Sequence, residues 1–103
     1  MPNELLRMFQ SAVDPSDVDA VRKLFNDDVA PAFRHLEGCL AIELAIGFDT
    51  NAGGLVEGAA ISRWASRQAM EKALASREAR EGLVRILALL RQEPVTRLFE
   101  VVA

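Results

Sequence analysis

Cys39-Leu40-Ala41-Ile42-Glu43-Leu44-Ala45-Ile46-Gly47-Phe48 alternates with a period of two. In an extended chain Leu40, Ile42, Leu44, Ile46 and Phe48 fall on one side, and Cys39, Ala41, Glu43, Ala45 and Gly47 on the other. Asp49-Thr50-Asn51-Ala52-Gly53-Gly54 has the composition of a turn, so the strand folds back on itself as a hairpin. The return strand runs from Leu55 to Trp64 and is thinned by Gly58, Ala59 and Ala60. A long antiparallel hairpin in the middle of a chain of 103 residues decides the fold, because whatever flanks it must pack against it.

Upstream, Leu5-Leu6-Arg7-Met8-Phe9-Gln10 is short, apolar and punctuated by polar residues, and reads as a strand. Asp14-Pro15-Ser16-Asp17 follows. Asp14 suits a helix cap, Pro15 the first helical position and Asp17 the positive end of the dipole. Val18, Val21, Phe25, Val29, Ala32 and Leu36 then recur at steps of three and four, which is one helical face. Pro31 removes a backbone donor inside that pattern, which predicts a kink or break near 27–30, and Gly38 is a natural stop. Downstream, Ser66 caps a helical region whose stripe is Met70, Ala73 and Leu74. The stripe lapses through Ser76-Arg77-Glu78 and resumes at Leu83, Ile86, Leu87 and Leu90, giving two helices or one kinked helix. Pro94 ends it. Val95 to Val102 is a last strand, rich in β-branched and aromatic residues.

The order strand, helix, strand, strand, helix, strand is the split βαβ, or ferredoxin-like, arrangement of an α+β domain, with both helical regions on one face of an antiparallel sheet. The other face is not polar: the last strand puts Val95, Phe99 and Val101 on one side and Leu98 and Val102 on the other. One layer of helices cannot cover two apolar faces, so a second subunit is expected, most economically through two-fold symmetry.

Composition sets the outer limits. The length fits one domain over 1–103. Apolar residues make up 50% and charged residues 26%, the balance of a globular chain. No apolar stretch approaches the ~20 residues of a membrane span, and Met-Pro-Asn-Glu begins no signal peptide. The single cysteine, Cys39, excludes an internal disulfide and a multi-cysteine metal site, and points to a reducing cytoplasm. A net charge of −3 does not suit nucleic-acid binding. Residues 1–57 carry most of the acids, and 58–103 are net positive; the Arg-rich helical region there reads as a solvated face.

Three stretches carry a family resemblance. His35-Leu36-Glu37-Gly38-Cys39-Leu40-Ala41-Ile42-Glu43-Leu44 resembles the glycine turn that opens the second strand of antibiotic biosynthesis monooxygenase-like domains. Ile61-Ser62-Arg63-Trp64-Ala65-Ser66-Arg67-Gln68-Ala69-Met70 is similar to that family's strand ending in a tryptophan before a capped helix. Val29-Ala30-Pro31-Ala32 resembles the proline-containing end of its first helix. The resemblance implies a dimeric α+β barrel, two sheets packed face to face, with a cleft between sheet and helices. It also implies a choice of activities: oxygenation of polyphenols or quinols without metal or organic cofactor, haem degradation, or no known catalysis.

The residues sort these. Haem-degrading members use a strand-one asparagine, the tryptophan and a histidine in the second helical region. Trp64 matches, the asparagine position falls at Gln10 or Ser11, and Arg67–Gln92 contains no histidine, so the haem ligand is missing. The chain has no tyrosine, so a tyrosine-oriented substrate is excluded as well. Oxygenation without a cofactor needs a site that binds a flat ring, helps remove a proton, stabilises the anion and excludes water. Trp64 offers a stacking face and one N–H donor, or else seals the strand–helix junction as a core residue. Met8 and Gln10 enter the cleft if Leu6, Met8 and Gln10 form the helix-facing side of the first strand, and Phe25 enters from the first helix.

His35, the only histidine, is the candidate proton acceptor, although a helix end before Gly38 also suits it structurally. Neither it nor any cluster of ligands points to a metal. Arg63 points to the opposite face, where Glu43 or Glu57 of a second subunit would pair with it. Cys39 reads as a small buried residue and not as a nucleophile. The resulting expectation is a homodimeric, cofactor-independent monooxygenase acting on an aromatic or quinol-like small molecule. The contrasting expectation is a non-enzymatic ligand-binding or structural dimer of the same fold, and a third is a module whose open sheet face meets a different partner.

Overall fold

In a computed structural model of the chain, which describes residues 3–103, the hairpin pairs β2 (Cys39–Thr50) with β3 (Val56–Trp64). Met1 and Pro2, the start of the segment read as lacking a leader, lie outside the described residues. β1 (Leu5–Val13) lies against β3, and β4 (Val95–Glu100) lies against β1, all antiparallel, giving the sheet order β2-β3-β1-β4. This is the ferredoxin-like order expected. The molecule measures 44 × 29 × 19 Å. Its thinnest dimension holds one sheet and one helix layer and no third layer.

β1 is three residues longer than the sequence pattern gave. Ser11, Ala12 and Val13 keep pairing with Gly58, Glu57 and Val56, and the small Gly58 and Ala59 on β3 allow the backbones to run on. Asp14 then caps a short 3₁₀ turn, Pro15–Asp17, its carboxylate accepting from the Ser16 amide and hydroxyl at 2.9 and 2.7 Å. These bonds hold the Asp14 carboxyl below its ordinary range. Helix α1 (Val18–Leu24) runs into a π-turn, Phe25–Val29, and then α2 (Ala30–Arg34).

The break expected from Pro31 is this π-turn. The proline ring cannot sit over the carbonyl four residues back, so the turn widens and the Ala30 amide donates to the Phe25 carbonyl five residues away. The extra residue rotates the buried face. Val21, Phe25 and Val29 are buried as expected, but the face continues through Ala30 and Phe33, leaving Ala32 and Leu36 only half-buried.

Helices α3 (Arg67–Leu74) and α4 (Arg77–Leu87) are separate, as the lapse in the stripe implied. Ser66 and Ser76 accept from the Ala69 and Ala79 amides as N-caps. α4 buries Ala79 and Gly82 and leaves Leu87 exposed, so small residues bring it close to the Val29 turn.

β2 keeps its alternation only in the middle. Irregularities between Cys39 and Ala41, and between Ile46 and Thr50, leave Ile42, Leu44 and Ile46 facing the helices. Leu40 is displaced outward by the first bulge, and Phe48, beyond Ile46, is fully solvent-exposed.

Candidate functional site: a cavity between sheet and helices

The register of β1 against β3 decides what enters the space under the helices. Leu5 faces Trp64, Arg7 faces Ser62, Phe9 faces Ala60 and Ser11 faces Gly58. Trp64 is fully buried on the helix side, so its cross-strand partners share that side. Arg7, Phe9 and Ser11 therefore look toward the helices. Met8 and Gln10, with the opposite parity, look away. This corrects the expectation that placed Met8 and Gln10 in the cleft: the strand carries apolar residues on both parities, and the Trp64 register selects the odd one.

Between the sheet and the helices lies a cavity of about 60 Å³. Its floor is Arg7, Phe9 and Ser11 of β1, Ile42, Leu44 and Ile46 of β2, and Ala60 and Ser62 of β3. Its roof is Val21, Phe25, Val29 and Phe33 from the first helical segment, with Leu83, Ile86 and Leu90 closing it from the second. Phe25 is thus where the sequence put it. Trp64 does not line the space. It forms the core beneath one end, edge-on to Phe33 with ring centroids 6.2 Å apart, and its indole Nε1–H donates to Ser62 Oγ at 2.9 Å. The core alternative for Trp64 describes its position, and its contribution to the cavity runs through Ser62. With its lone pair engaged by the indole, the Ser62 hydroxyl keeps its own hydrogen to donate. Ser11 Oγ donates to the Gln92 carbonyl at 2.7 Å and ties the rim to the segment before β4.

His35 is exposed at the C-cap of α2 and lies off the cavity wall. A proton acceptor for a ligand in the cavity is therefore not supplied from that position. Cys39 is half-buried, and burial pushes its thiol pKa up, which keeps it protonated at neutral pH. Arg63 lies on the sheet's outer face, where it pairs with Glu4 of its own chain. Among the described residues no three His, Cys, Asp or Glu side chains gather as a metal-binding group.

The residue that sequence reading missed is Arg7. It sits on the inner face of the central strand pair and is only 9% exposed. Among the described residues no carboxylate pairs with it and no side-chain hydrogen bond holds its guanidinium. Its contact is the Phe9 ring, 5.4 Å from Cζ to the centroid. The acid on the cavity wall, Glu57, is exposed, and its carboxylate is turned to the Asn51 amide. Asp28 on the overlying turn is bonded to Arg85. Burial lowers the Arg7 pKa, yet a guanidinium remains charged at neutral pH. The signal available in sequence was a lone arginine inside an apolar strand, which reads equally well as an outward residue.

Similarity to known proteins agrees with this geometry. Residues 5–84 match the family model described as antibiotic biosynthesis monooxygenase. Among solved structures, a variant of SnoaB, a cofactor-independent oxygenase from Streptomyces nogalater, superposes with a TM-score of 0.75 at 18% identity, over 98% of this chain and 95% of that one. Rv0793 from Mycobacterium tuberculosis gives 0.71 at 18%, over 97% and 96%. A conserved protein from Methanosarcina mazei Go1 gives 0.79 at 12%, over 95% and 92%. Among curated proteins none matches the sequence. These structural likenesses carry the fold, and the family match spans β1 through most of α4. The chain belongs to the antibiotic biosynthesis monooxygenase family.

Proposed function

We propose that the protein is a cofactor-independent monooxygenase that oxidises a small aromatic or quinol-like molecule held in the cavity between sheet and helices. The observation that carries this reading is the cavity itself: a chamber walled by Phe9, Phe25, Phe33, Ile42 and Leu44, with the few polar groups on its floor. Apolar walls with a small number of placed polar groups are the usual make-up of a small-molecule site. Family membership supports the reaction class.

The chemistry asks little of the protein. A phenol that has lost its proton is electron-rich enough to give electrons to dioxygen. One oxygen atom enters the ring as a quinone carbonyl and the other leaves as water, so the substrate supplies every electron. The protein's part is to hold the ring, stabilise the anion and keep water out. A chamber of about 60 Å³ is smaller than the roughly 150 Å³ known to admit benzene. A ring therefore opens the rim at Leu83, Ile86 and Leu90, and larger parts of the substrate project past it.

The same reading makes the functional unit a homodimer in a reducing cytoplasm. The lone half-buried cysteine suits that compartment. The second copy would cover the sheet's outer face, where Val95 and Phe99 are each 47% exposed.

The test is oxygen uptake with a panel of hydroquinones and naphthols, using Ala60→Leu to fill the cavity floor. Uptake by the wild type that falls at least tenfold in Ala60→Leu supports the reading. No uptake across the panel, or uptake untouched by the filled floor, contradicts it.

A further inference from the structure

We propose that Arg7, with the Ser62 hydroxyl beside it, is an anion receptor on the cavity floor, and that the ligand this chamber takes carries a negatively charged oxygen on an apolar ring. The inference rests on the cavity being the ligand site, as proposed above, and adds the charge of the ligand.

A largely buried arginine is usually paired, whereas among the described residues the Arg7 guanidinium has no protein partner and its nitrogens stay accessible instead of being sealed in the core. Arg7 is buried on the inner face of the central strands, has no ion-pair partner among the described residues, and is offset by one aromatic ring. The lining acid Glu57 is engaged with Asn51, and Asp28 on the overlying turn with Arg85. A guanidinium on an apolar cavity wall with no protein partner is expected where a ligand completes the arrangement. Geometry identifies that ligand's charged atom. Arg7 and Ser62 are direct cross-strand partners on one face, so a side chain with a fork of N–H donors and one with an O–H donor leave the floor from paired positions. The fixed bond from Trp64 Nε1 to Ser62 Oγ turns the free hydroxyl hydrogen away from the indole. Donors alone, with a full positive charge and apolar walls, fit a phenolate, an enolate or an aromatic carboxylate. For a phenolic substrate the same pair would favour the ionised form that reacts with dioxygen.

The test compares benzoate with its neutral isostere benzamide, followed by calorimetry and by emission of the single tryptophan, which lies one hydrogen bond from the site. The wild type is expected to bind benzoate at least tenfold tighter than benzamide. Arg7→Met is expected to lose that preference while still binding benzamide, and Arg7→Lys to keep part of it. Removing an unpaired buried charge also raises the melting temperature of Arg7→Met, whereas loss of a structural arginine lowers it. Equal binding of the two probes by the wild type, or a benzoate preference that survives in Arg7→Met, overturns the receptor while leaving the cavity as a ring site. Failure of both probes to bind the wild type at millimolar concentration overturns the receptor and the cavity reading together. A lowered melting temperature in Arg7→Met with unchanged benzoate binding assigns Arg7 to structure and overturns the proposal.

Discussion

Trp64 and Ser62 illustrate how one side chain works through another. The tryptophan is buried completely and does not line the cavity, yet its indole N–H fixes the rotamer of a serine that does. Removing the acceptor leaves a buried donor unsatisfied, at a cost of about 1–3 kcal/mol. Ser62→Ala is therefore expected to lower stability by that amount in urea unfolding. Its cost should exceed that of Ser66→Ala, where a half-buried helix cap is lost for about 1 kcal/mol. A Ser62→Ala protein as stable as the wild type would mean that the indole finds another acceptor. Residue chemistry was half legible beforehand. Phe25 could be placed from helical spacing alone, because five other apolar residues repeat around it. Met8, Gln10 and Arg7 could not, because Leu5-Leu6 and Met8-Phe9 are apolar on both parities of the strand. One register pairing, Leu5 with Trp64, settles all of them at once, and no local pattern encodes that pairing.

At the scale of elements, the features that punctuate the chain are the ones the sequence declares. Asp14 and Ser66 each cap the helical segment they were expected to start, and Ser76, at the lapse in the stripe, caps α4. Proline 31 announces a disruption but not its form, since a kink, a break and a π-turn all relieve the same clash. The extra residue that the π-turn inserts brings Phe33 into the core in place of Leu36, a rotation that a fixed helical period does not foresee. The bulges of β2 are similarly silent, because a strictly alternating run looks the same whether or not a residue is later squeezed out of it.

Gly38 is the most constrained of these junctions. It adopts φ +87°, and a Cβ there would lie 2.5 Å from the Cβ of Ala69. Its carbonyl accepts from the Ala65 amide at 2.8 Å, locking the start of β2 to the end of β3. Backbone strain and contact act together, so Gly38→Ala is expected to destabilise by about 2 kcal/mol or more. The pair Gly38→Ala with Ala69→Gly should recover the contact part and keep the strain part of about 1 kcal/mol. Equal unfolding midpoints for Gly38→Ala and wild type would contradict this packing.

For the whole molecule, the ferredoxin-like order follows from element order and turn signals, and it was readable from the chain. What covers the outer face was readable only as a need. Val95 and Phe99 look outward, and Leu98, on the helix side of the same edge strand, is also exposed because the helices do not reach β4. Phe48 stands free near the tip of the hairpin. A second copy that buries these residues gives sedimentation at twice 11.3 kDa in the micromolar range, and Phe99→Asp should shift it to the monomer. A wild type that sediments at 11.3 kDa would leave the outer face without the partner proposed for it.

The function rests on the other face. The most direct measurement is a titration of the isotope-labelled protein with 1-naphthol, following amide and methyl resonances. Shifts are expected to concentrate at Arg7, Phe25, Ile42, Leu44 and Ser62, with Met8 and Gln10 unmoved. Shifts confined to Met8, Gln10 and the outer strand face, or no shifts at saturating ligand, would contradict a site under the helices.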